Sequence, residues 1–143
     1  MNKNNEINGL LYFPALGLLI TCLLGSYNYY KICRMFYLKN VNHEQIAIWF
    51  AAWIIIGGFI YLTWTYYATY LFFSQKEKAI KAMVIYYILG FMLYTPLFSI
   101  IHLIHNVPLD FRMLSAVISG VIGLLIWIPY FLKSKKVTRV FVR

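Results

Sequence analysis

Four stretches of this chain, residues 10–30, 46–73, 82–104 and 113–132, contain no Asp, Glu, Lys or Arg. An α-helix rises about 1.5 Å per residue and needs roughly 20 residues to cross about 30 Å of hydrocarbon, a length that each stretch supplies. None alternates apolar and polar side chains as a membrane strand does. The pattern predicts an all-α polytopic membrane protein with four transmembrane helices in a single domain, residues 1–143. Linking segments 31–44, 76–81 and 105–112 are too short to fold as soluble units. Composition agrees. Only 12% of residues are charged, about half the roughly 25% of a soluble domain, which leaves too little polar surface to face water all round.

The first run follows Lys3, so the core of a cleaved secretory signal is the competing reading. Its length, and an end (LLGSYNYY) without a small-x-small cleavage site, favour a retained span. The second run is longer than a bilayer needs and carries Trp49, Trp53, Tyr66, Tyr67 and Tyr70 toward its ends. Such amphipathic rings settle at headgroup level, and the excess length predicts tilt or projection.

Charge sets the expected orientation. With four spans, one side holds Lys3, Lys76, Lys78, Lys81, Lys133, Lys135, Lys136, Arg139 and Arg143, nine cations, against Lys31, Arg34, Lys39 and Arg112 on the other. The positive-inside rule places both termini in the cytoplasm. A formal net charge of +9 on a soluble protein would suggest nucleic acid. These cations lie at the ends of apolar runs, so the expected partner is a bilayer with anionic headgroups, and no nucleic acid. Lys133, Lys135, Lys136 and Arg139 then form a cytoplasmic headgroup anchor, with Trp127 and Tyr130 just inside it. Pro129 removes the hydrogen bond that the Leu125 carbonyl would accept and predicts a bend there.

Because lipid tails are as apolar as leucine, helices in a membrane associate through close packing and hydrogen bonds. Small residues recur at spacing four in the first run, Gly17, Thr21 and Gly25, and in the fourth, Ser115, Ser119 and Gly123, with Ala116 and Gly120 alongside. These faces predict that the first and fourth helices form the central pair. Gly57 and Gly58 mark a notch or bend in the second run, and Pro96 predicts a kink in the third, with Thr95 and Ser99 able to replace its lost bond.

Chemistry is scarce. An ion-coupled transporter needs an ionisable group at membrane depth, and the four runs hold no carboxylate, lysine or arginine. Asn28, Thr63, Thr65, Thr95 and Ser99 could line a narrow wet path or satisfy one another in an inert bundle. His102 and His105 lie one turn apart, and Asp110 is a loose third ligand; ordinary interfacial histidines are the plainer reading than a metal site or a pH-sensitive interface. Cys22 and Cys33 have neither a disulfide framework nor metal spacing. No G-x-S-x-G, H-E-x-x-H or phosphate loop is present. No catalytic residue, cofactor or metal is assigned, and enzymatic activity is not expected.

The segments GLLYFPALGLLI, with Pro14 and Gly17, and IWIPYFLKSKKVTRVFV, with Trp127, Ile128, Pro129, Tyr130, Ser134, Val137 and Phe141, resemble the first and last segments of DUF2569, a family of small four-helix bacterial membrane proteins of unknown function. The resemblance implies a multi-pass protein of the bacterial inner membrane and no assigned catalytic residue. The function expected is association: an accessory or regulatory subunit of a membrane complex, or a homo-oligomer. A small transporter or channel for a neutral or lipidic solute is the alternative.

Overall fold

The computed structural model of the chain describes residues 9–41, 48–105 and 111–141. Every element among them is helical. With no breaker between Tyr12 and Val41 except Pro14 in the first turn, where its missing N–H costs nothing, the N-terminal segment forms one long rod. A 3₁₀ turn (Gly9–Leu11) leads into α1 (Tyr12–Ile20), a π turn (Thr21–Gly25) and α2 (Ser26–Val41). Residues 31–41, read above as a loop, continue this helix, because lysines and arginines end a hydrophobic run without ending a helix. α3 (Ile48–Phe73) and α4 (Lys78–His105) follow, then a second composite rod of α5 (Phe111–Ile122), a π turn (Gly123–Trp127) and α6 (Ile128–Lys133), and last a short α7 (Lys135–Val140).

Two stretches, Gly9–Leu38 and Trp49–Phe73, are long and apolar enough to cross a membrane, and Val117–Lys133 is a shorter apolar helix. α4 runs through Pro96, the site of the expected kink, as one uninterrupted helix, and for Thr95, Ser99, His102, His105 and Ala116 only the backbone is described.

α3 ends at a Schellman closure. Gln75 takes φ +54°, the Lys76 amide donates to the Leu71 carbonyl at 3.2 Å and the Gln75 amide to that of Phe72 at 3.1 Å. So tight a reversal makes α3 and α4 antiparallel neighbours. Their contact is extensive; the N-terminal rod lies chiefly on α3, and the C-terminal rod on α4. The expected central pairing of first and fourth helices is therefore not the arrangement formed. The physical reason is visible at Gly120 and Gly123, whose notches receive the rings of Phe91 and Tyr87 on α4 instead of a second backbone.

The tightly packed part sits at one end. Leu11, Leu18, Ala68, Leu71, Phe72, Ala79, Met83 and Phe131 form a buried cluster there. After Ser134 turns extended (ψ 116°), α7 folds back and adds Val137, Val140 and Phe141 to the same cluster. Phe141 lies 5.1 Å from the Phe72 ring. The first turn, the α3–α4 reversal and the tail thus gather at one end of the bundle.

Candidate functional site

Small residues and hydroxyls decide how the rods meet. In a π turn the backbone ladder slips by one residue, so side-chain donors are needed to cover a carbonyl. At Thr21–Gly25 they are present. Ser26 Oγ donates to the Cys22 carbonyl at 2.6 Å, and Tyr66 Oη reaches the same oxygen at 3.2 Å. Thr21 Oγ1 donates to the Gly17 carbonyl at 2.8 Å and so accepts from Tyr86 Oη, 3.0 Å away on α4. Tyr86 in turn stacks on Tyr61 of α3, with centroids 5.6 Å apart. Thr21 therefore ties the first rod to both central helices.

On the other flank, a Cβ on Gly123 would stand 2.8 Å from the Tyr87 ring and one on Gly120 3.1 Å from that of Phe91. The second π turn begins at Gly123 and ends two residues before Pro129. A widened turn there relieves the clash that the proline ring would otherwise make with the Leu125 carbonyl. Gly25 faces Leu62. Gly17 has no neighbour for a Cβ to meet, and Ser119 is exposed, donating to the Ser115 carbonyl at 2.6 Å. Of the expected packing residues, Thr21, Gly25, Gly120 and Gly123 meet another helix, Gly17 does not, and Ser119 is exposed. The sequence reading missed the receiving rings, Tyr86 and Tyr87, although two adjacent tyrosines in a mainly aliphatic run were a signal. Gly123→Val should force Tyr87 aside and lower the unfolding midpoint in detergent by an overpacking cost of about 1–3 kcal/mol. Gly17→Ala, whose Cβ meets nothing, should instead hold or raise that midpoint, by at most about 1 kcal/mol of helix propensity.

Away from the packed end the helices leave space. A groove of about 600 Å³ runs between α3 and α4, lined by Trp49, Trp53, Ile56, Gly57, Met92 and Leu93. A second cleft, of about 420 Å³, lies among α2, α3 and α4 and is lined by Gly25, Asn28, Tyr29, Lys31, Gly58 and Leu62, among others. Its wall is fixed by Tyr29, whose ring rests on Gly58 and whose hydroxyl donates to the Ile55 carbonyl at 2.8 Å. At the packed end, Lys133, Lys135, Lys136 and Arg139 are all exposed, and Val137 and Phe141 hold them against the bundle. Among the described residues no group of three His, Cys, Asp or Glu is placed to bind a metal, and Cys22 and Cys33 are free thiols.

A family model described as "Protein of unknown function (DUF2569)" matches residues 4–142. The chain belongs to the DUF2569 family. The match covers both terminal segments on which the resemblance rested and the central helices between them. No curated protein and no solved structure matches the chain. The family therefore supplies a relationship and no activity, and function has to be argued from the bundle itself.

Proposed function

We propose that this DUF2569 protein is a four-span protein of the bacterial inner membrane, with both termini in the cytoplasm. It acts without catalysis of its own, by association in the plane of the bilayer, as an accessory or regulatory subunit or as a homo-oligomer. The observation that carries the reading is the surface of α3. Trp49, Trp53, Ile56, Phe59, Ile60, Tyr66, Tyr67 and Tyr70 are all exposed along one broad face of a 26-residue helix that bears no charge, opposite the buried face of Tyr61, Thr65, Ala68 and Phe72. Large contiguous apolar surface of this kind faces lipid or another protein, never water. The groove beside α3 breaks that surface with two tryptophans and a glycine, a relief suited to receiving a helix from a neighbour. Gathering of the first turn, the α3–α4 reversal and the tail at one end supports the orientation, since those segments carry most of the cations.

Two measurements test it. Single cysteines at Gln75, Ser134 and Tyr37, each in a chain with Cys22 and Cys33 replaced by serine, should label differently in intact cells. The first two react with an impermeant maleimide only after permeabilisation, and the third reacts at once. For association, cross-linking in native membranes followed by mild-detergent purification should return either a homo-oligomer or a stoichiometric membrane protein. A strictly monomeric chain with no co-purifying membrane protein overturns the proposal.

A further inference from the structure

We propose that the cleft among α2, α3 and α4 is a phospholipid site, with one acyl chain lying between the first rod and α3 and the phosphate held by Lys31 and Asn28. The inference rests on the membrane placement proposed above and goes beyond it by naming a ligand and its contacts. Gly25, Asn28 and Ile32 follow at spacings of three and four, so they present one face of the first rod, and all three line the cleft. Opposite them stand Ile54, Gly58 and Leu62 of α3, also at spacing four. The Tyr29 ring seats on Gly58 and Leu62 on Gly25, which draws both side chains back into the walls of the cleft, and the Tyr29 hydroxyl is already committed to the Ile55 carbonyl. The deep part is thus apolar with no free polar group demanding water.

Polarity is confined to one edge. Lys31 and Asn28 lie one turn apart there, and Lys31 is the first cation after the uncharged run 10–30. Its ammonium is exposed, sits 4.6 Å over the Tyr27 ring, and has no carboxylate partner among the described residues. A lysine at the end of a membrane-crossing run extends to headgroup level with its stem along apolar surface. There it offers a charge-assisted bond to a phosphate, and the Asn28 amide adds a neutral donor. A volume of about 420 Å³ falls within the roughly 300–1,000 Å³ of pockets that bind small ligands. Cation at the mouth, amide beside it and hydrocarbon below match the order of groups along a phospholipid.

The test uses the full chain, solubilised from bacterial membranes in mild detergent and then exchanged into a delipidating one, with retained lipid counted by native mass spectrometry. Wild type should keep one phospholipid per chain. Lys31→Gln, which removes the charge, and Ile54→Trp, which fills the cleft, should each lower the retained fraction about tenfold. Lys81→Gln, an exposed cation on α4 near the opposite end, should leave it unchanged. Retention of no phospholipid by wild type, retention of a free fatty acid or inorganic phosphate alone, or full retention by Lys31→Gln overturns the site. If Ile54→Trp does not reach the membrane, Lys31→Gln decides alone. Membrane fractionation of the same wild-type cells separates the two ideas. A chain found in the soluble fraction refutes the membrane placement, whereas an inserted chain without the lipid refutes only this site.

Discussion

Replacing Phe72 by alanine should lower the stability of the detergent-solubilised protein by about 3 kcal/mol and release the C-terminal tail. Phe72 is fully buried at the last turn of α3, with Phe131 of α6 at 6.3 Å and Phe141 at 5.1 Å. The end of α3 and the distant C-terminal segment meet on this one ring. Within a membrane protein part of the usual transfer free energy is lost, because lipid is as apolar as the interior. The cavity remains, as do two aromatic pairs worth about 0.5–1.5 kcal/mol each. α7 has only six residues and cannot persist as an isolated helix, so its order depends on Val137, Val140 and Phe141 staying seated. In Phe72→Ala, trypsin should cut after Lys135, Lys136 and Arg139 at least tenfold faster, as expected when local opening becomes that much cheaper. Phe72→Leu keeps most of the volume and should recover more than half of the loss. Unchanged cleavage in Phe72→Ala would show that the tail is held by something other than this cluster.

The helical class was legible because it depends on a local property: no charge falls within residues 10–30 or 46–73, so lipid or protein must cover them whatever the topology. Partner choice was not legible, since it depends on shape across distance. A glycine such as Gly123 can admit a backbone or a ring, and only the fold reveals that Tyr87 of α4 is opposite. The extension of the first helix to Val41 was hidden for a related reason. Lys31 and Arg34 mark where hydrocarbon ends, and nothing in those residues ends a helix. Of the two π turns, one sits just before Pro129, which signalled a local disturbance, while Thr21–Gly25 contains no residue that would announce it. The tail held a mixed message. Its dense positive charge masked three apolar residues, Val137, Val140 and Phe141, whose spacing puts them on one face.

That two-sided tail permits a separation of charge from packing. Changing Lys133, Lys135, Lys136 and Arg139 to glutamine should leave the buried face intact, since all four side chains are exposed, yet abolish the bias that orients the chain. Nine cations lie on the side proposed as cytoplasmic and four on the other; the substitution makes the count five against four. Each lysine or arginine near an anionic surface contributes about 1 kcal/mol, so about 4 kcal/mol of preference disappears. Lys3 precedes the first span whereas Lys31, Arg34 and Lys39 follow it, so the helix that usually dominates orientation is biased against the proposed one and the cations of the tail have to outweigh it. A reporter fused to the C-terminus should shift from wholly cytoplasmic to a mixture with about half of the molecules inverted. Lys→Arg and Arg→Lys exchanges at the same four positions preserve charge and should preserve orientation, which excludes loss of specific side-chain contacts as the cause. If the neutralised chain remains uniformly inserted with its C-terminus inside, then the seating of Val137 and Phe141 on Phe72, formed before the last span is committed, sets the topology in place of the electrostatic rim.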